Sequence, residues 1–79
     1  MHFIVGLSNE ELDVLKGGGH VISKLLLVPD DYRVFHYKEG DEIEAETPEG
    51  NRLTTQIRNL EIVEDTDSVI VILTLMKTE

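Results

Sequence analysis

The stretch Glu42-Ile43-Glu44-Ala45-Glu46-Thr47-Pro48-Glu49-Gly50-Asn51-Arg52-Leu53-Thr54-Thr55-Gln56-Ile57-Arg58 sets the architecture of this chain. Its first five residues alternate acid with aliphatic, so Ile43 and Ala45 face one way and the glutamates the other. That is the period of a strand with one buried face. Pro48-Glu49-Gly50-Asn51 carries turn chemistry, which predicts that residues 42–47 and 52–58 pair as a hairpin. Beyond it the phase breaks: Leu53 and Ile57 share one parity, Leu60 and Ile62 the other. A β-bulge near Arg58-Asn59 restores it.

Upstream of the hairpin, Lys38-Glu39-Gly40-Asp41 reads as a turn and residues 32–37 (YRVFHY) as a short strand. Residues 20–28 (HVISKLLLV) are an apolar run with a β-branched start, closed by Pro29-Asp30-Asp31. The run predicts a strand covered on both faces. Before it stands the clearest helix start in the chain. Ser8-Asn9-Glu10-Glu11 is a capping box, with Leu7 and Leu12 at the staple positions. Acids at Glu10, Glu11 and Asp13 and a base at Lys16 suit the helix dipole. Gly17 fits the left-handed position that stops a helix. One helix over residues 9–16 follows, with Leu12 and Leu15 inward. Residues 2–7 (His2 to Leu7) read as an opening strand. Downstream, Glu64-Asp65-Thr66-Asp67 is a polar turn, and residues 68–76 (SVIVILTLM) predict a fully buried strand.

Composition agrees. Of 79 residues, valine, isoleucine and threonine number 8, 7 and 6, whereas alanine appears once. β-Branched side chains favour pleated sheet over helix. The expected fold is mostly β (α+β), a single domain over residues 1–79. Its architecture is a small curled antiparallel sheet or barrel of five to six strands with one N-terminal helix. An apolar share of 41% excludes a disordered acidic tail. The absence of cysteine excludes a disulfide framework and a thiolate metal cage. Neither a signal-like leader nor a membrane-length apolar run is visible, so a soluble cytoplasmic protein is expected. A net charge of −9 opposes generic adhesion to nucleic acid or anionic membrane.

Few residues point to chemistry. Gly17-Gly18-Gly19 follows the helix instead of preceding one, and lacks the lysine and hydroxyl of a phosphate loop. The triplet reads first as a helix stop, with a close backbone approach to a small ligand as the alternative. His2, His20 and His36 have no ligand spacing, so no metal and no cofactor is expected. The glutamates at 42, 44 and 46 read as a solvated face that Arg52 and Arg58 can balance across the hairpin. Lys24 is the odd residue, a lone charge inside an apolar strand, either snorkelling to water or meeting a ligand.

The order of elements resembles the ASCH branch of the PUA-like superfamily. The likeness lies in an opening strand, a helix closed at Lys16-Gly17, and the glycine-rich segment Gly17-Gly18-Gly19-His20. It continues in the turn Tyr37-Lys38-Glu39-Gly40-Asp41 into Glu42-Ile43-Glu44. The hairpin from Thr47 to Asn51 then leads into Gln56-Ile57-Arg58-Asn59-Leu60-Glu61-Ile62. Such domains bind RNA, nucleosides or modified bases, and some are hydrolases. This chain departs from the fuller motif: Gly19 or His20 occupies the lysine place, the acid is missing, and Lys24 alone stands near the arginine place. The resemblance therefore implies a PUA-like binding module without identifiable catalytic residues, more a binder than an enzyme. Its ligand is expected to be RNA or nucleotide-like, in a cleft after the helix. The candidate ligand-binding residues are Gly17, Gly18, Gly19, His20, Lys24, Arg33 and Tyr37. The alternative is a non-enzymatic protein interaction or adaptor domain, a dimer among its forms. A third reading is an acidic mimic of nucleic acid.

Overall fold

In the computed structural model, residues 3–78 are described; His2 lies outside them. The elements follow as β1 (Ile4–Gly6), α1 (Asn9–Lys16), β2 (His20–Leu27), α2 (Pro29–Arg33), β3 (Glu42–Glu46), β4 (Arg52–Glu64) and β5 (Val69–Lys77). The five strands form one sheet in the order β1-β3-β4-β5-β2. The sheet curls into a nearly closed, barrel-like layer with β1 and β2 at its edges, in keeping with the expected mostly-β class. No helix among the described residues is long and apolar enough to cross a membrane.

Helix α1 forms where its signals place it. The Ser8 hydroxyl oxygen accepts the Glu11 N–H at 3.2 Å, and the Glu11 carboxylate accepts the Ser8 N–H at 3.0 Å. Both halves of the capping box are thus made. Leu12 and Leu15 are buried, and Leu15 joins the core formed by Val5, Val21, Ile43, Ile57, Leu73 and Leu75. An eight-residue helix is too short to be stable alone, so this packing holds it. The stop differs by one residue from the expected one. Gly17 keeps a φ of −81°, and Gly18 takes the left-handed conformation at +91°. Gly18 N–H then donates to the Leu15 carbonyl at 3.0 Å and Gly19 N–H to Val14 at 2.8 Å. That pair of bonds is a Schellman cap with Gly18 at C′.

The hairpin of β3 and β4 has the expected register, with Ile43 opposite Thr55 and Glu46 opposite Arg52. Gly50 at φ +91° closes the turn, and its N–H donates to the Thr47 carbonyl at 2.9 Å. Ile43 and Ala45 are buried. Buried Thr55 is satisfied by donating its hydroxyl to the Ile43 carbonyl at 2.7 Å. The register between β4 and β5 shifts between Ile57 and Asn59, which is the expected bulge. Arg58 is the extra residue, so Ile57 and Leu60 both point inward, opposite Leu75 and Leu73.

Three expectations need correction. Residues 32–37 are not a strand: Pro29 opens the short helix α2, with Asp30 and Asp31 in its first turn. Proline presets φ for the first helical position, and acids suit the N-terminus. One pairing of the sheet is parallel, that of β1 with β3. Finally, β2 and β5 are covered on one face only. Val69, Val71, Leu73 and Leu75 are buried while the residues between them are half-buried, and on β2 Ile22 and Leu26 stand 64% and 72% exposed. The described residues form one sheet with no second layer packed on its outer side, so the outward faces of these strands have nothing to cover them.

Candidate functional site

The glycine segment ends at the start of β2, and its surroundings form a cleft of about 440 Å³ lined by Gly18, His20, Arg58, Met76, Lys77 and Thr78. Three separate elements build it. The Schellman cap turns the chain so that β2 begins at His20. Antiparallel pairing sets His20 beside Met76 near the end of β5. The bulge then swings Arg58 out of the β4 ladder, a common effect of an extra residue in a strand.

Arg58 Nη1 lies 3.4 Å from His20 Nε2. A guanidinium can only donate, so this contact is a hydrogen bond in the ring tautomer whose Nε2 accepts. The contact is long for a hydrogen bond and orients Arg58 without neutralising it. Among the described residues no carboxylate lies within ion-pair distance of Arg58 or Lys77. The other arginines are occupied. Arg33 pairs with Asp30 at 2.6 Å, and Arg52 with Glu46 at 3.0 Å and Glu44 at 3.3 Å. The cleft thus holds a guanidinium and an ammonium that no described carboxylate pairs with, in a chain of net charge −9.

The expected ligand-binding residues do not all meet. Gly18 and His20 line the cleft. The amides of the glycines are already used: Gly17 N–H donates to Asp13, Gly18 to Leu15 and Gly19 to Val14. The segment therefore presents no phosphate-cradling nest, and the helix-stop reading is the one realised. Gly19 has a packing reason as well, because a Cβ there would stand 2.6 Å from Val14 Cγ1. Lys24 points from the middle of β2 to the outer face of the sheet, on the same side as Ile72. Arg33 belongs to α2, past the opposite end of β2, about 24 Å away along a strand of this length. Tyr37 sits at the β1–β3 edge. It packs against Phe35 and Phe3 with ring centroids 5.1 and 6.2 Å apart. There it lines a larger cavity of about 660 Å³ whose walls include Glu42, Glu44 and Arg52. With Arg52 neutralised, that cavity is acidic and unsuited to an anion.

Arg58 and Lys77 are the residues that sequence reasoning does not assign to this cleft. The break of parity at Arg58-Asn59 is the one available signal, since a bulge re-aims the side chain it carries. Lys77 has no local signal; only the pairing of β5 with β2 brings it near His20. Among the described residues no group of three or more His, Asp or Glu side chains is placed to hold a metal ion. Comparison with protein families, with curated proteins and with solved structures finds no match for this chain.

Proposed function

We propose that this chain is a small binding module for a nucleotide-like anion, either a free nucleotide or the phosphate and base of single-stranded RNA. The ligand is taken at the cleft of Gly18, His20, Arg58 and Lys77. One observation carries this reading. Arg58 lies beside His20 in a concave site where, among the described residues, no carboxylate pairs with it, while Arg33 and Arg52 are spent on acids. A guanidinium is the side chain best shaped for bidentate contact with phosphate. The neighbouring Met76 and imidazole give a base a surface to lie against. Binding is favoured over catalysis because, among the described residues, no acid and no activated nucleophile lines the cleft. The PUA-like resemblance points to the same ligand class.

The net charge sets the regime. A chain at −9 repels polyanions at long range, so the affinity must come from short-range contacts and be weak. The test is an NMR titration at low salt with 5′-AMP, 5′-UMP, inorganic phosphate and a short single-stranded RNA. Amide shifts should concentrate at residues 18–20, 58 and 76–78, saturate at millimolar ligand, and fall at least about tenfold in affinity for Arg58→Gln. Silence at those positions under millimolar ligand overturns the reading. Shifts with phosphate equal to those with nucleotide reduce the site to a bare anion contact.

A further inference from the structure

The outer face of β2, β5 and the second half of β4 is a different surface from the cleft, and its composition is unusual for a solvated sheet. Strand register places its side chains in rows across the three strands. Leu26, Ile70 and Val63 form one row; Lys24, Ile72 and Glu61 the next; Ile22, Thr74 and Asn59 a third. His20, Met76 and Gln56 end the face at the rim of the cleft. Leu26 and Ile22 are among the most exposed large apolar side chains of the described residues, and Val63 is also exposed. Scattered exposed aliphatics are ordinary, but a contiguous row on one sheet face marks an interaction surface.

Lys24 and Glu61 lie in one row on either side of Ile72, each opposite it in register. Two strand spacings, about 10 Å, separate their backbones, and the two side chains make no ion pair within the chain. The row is therefore antisymmetric in charge about β5: positive on one flank, apolar in the centre, negative on the other. A surface with that pattern is complementary to itself under one operation. A two-fold axis running along β5 in the plane of contact sets β5 on the partner copy's β5 and β2 on the partner's β4. Lys24 of each copy then faces the partner's Glu61, Ile72 and Ile70 face their equivalents, and Leu26 meets the partner's Val63. An axis across the strands would instead set Lys24 on the partner's Lys24. The charge row thus selects both the occupant and the axis.

We propose that this chain forms a symmetric dimer by stacking the outer faces of β2, β5 and β4, with reciprocal Lys24–Glu61 pairs across an Ile70–Ile72 centre. The contact is isologous, as closed two-fold dimers are, and resembles aligned sheet-on-sheet packing. Its footprint, about 14 by 24 Å from strand spacing and rise, is smaller than that of a standard specific interface and implies weak, transient association. Both copies' clefts then open at the same end of the sandwich. The proposal does not depend on what the clefts bind.

The test is sedimentation equilibrium of the full chain from about 10 μM to 1 mM, a range that brackets weak association. The unmodified protein should show a reversible monomer–dimer equilibrium. Lys24→Glu and Glu61→Lys should each weaken it at least about tenfold, because each sets like charges opposite one another. Mixing those two variants should restore dimers. The two substituted side chains, of opposite charge, face each other at one contact, and the unaltered Lys24 and Glu61 face each other at the second. Leu26→Ser should weaken association with no change in circular dichroism or melting temperature. Three results overturn the proposal: a monomer throughout the range, loss with Lys24→Glu but not Glu61→Lys, or no recovery on mixing. The second would mean pairing of β2 edges, where Glu61 is out of reach. Generic repulsion is also distinguished, as it would make Glu61→Lys associate more strongly.

Discussion

The β3–β4 hairpin and the β2–β5 pair are built to the same inward rule and opposite outward ones. Inside, both present alternate aliphatics to one core: Ile43, Ala45 and Ile57 from the hairpin, Val21, Val71, Leu73 and Leu75 from the pair. Outside, the hairpin shows Glu42, Glu44, Glu46, Arg52, Thr54 and Gln56, whereas the pair shows Ile22, Leu26, Ile70, Ile72 and Met76, with Lys24, Thr74 and His20 as its polar members. Inward periodicity makes the fold. The outward face is free to differ, and the difference separates a surface suited to water from one suited to a partner. The bulge at Arg58 marks the boundary, because the pairing of β4 with β3 ends just before it while that with β5 runs on.

The largest effect should come from setting the inner face against the outer one within a single sheet. Leu73→Ala, at 0% exposure, should cost about 2–5 kcal/mol in denaturant unfolding. Leu26→Ala, at 72%, should change dilute-solution stability by less than about 0.5 kcal/mol. Equal losses would mean the outer face is covered within the monomer. A smaller effect belongs to the boundary. Deleting Arg58 turns the bulge into regular strand and leaves Ile57 and Leu60 inward, so unfolding should stay cooperative, with a loss of no more than about 2 kcal/mol. Nucleotide-induced shifts at residues 18–20 should vanish in the same variant. Collapse of the fold would refute the register account, since a one-residue slip is harmful only where it turns the inward set outward. The smallest effect lies on the hairpin surface. Arg52→Gln removes two half-exposed ion pairs and should cost under about 1 kcal/mol, less still in high salt. A larger, salt-independent loss would show that the charged face is more than solvation.

Signals in the chain are legible where their cause is local. The capping box at Ser8–Glu11 spans three residues, and both its hydrogen bonds form. The hairpin follows from Pro48–Asn51 and the bulge from a change of parity between Ile57 and Leu60. The stretch from Pro29 to Tyr37 misleads because YRVFHY has strand composition, whereas the proline and the two aspartates before it start a helical turn. Of the candidate site, Gly18 and His20 are found together, but Arg33 and Tyr37 are carried elsewhere by the path of the chain after β2.

Capping, turn chemistry and two-residue periodicity act within a few positions, and they suffice to place the helix, the hairpin, the bulge and the inward faces. The strand order, the parallel pairing of β1 with β3 and the place of β2 at the sheet edge are of another kind. They depend on contacts between segments far apart in the chain. Those contacts bring Arg58 to His20, 38 positions away, and leave Ile22 and Leu26 uncovered. An apolar run such as HVISKLLLV states that a strand is wanted; whether one face or two is buried depends on what the rest of the chain lays against it.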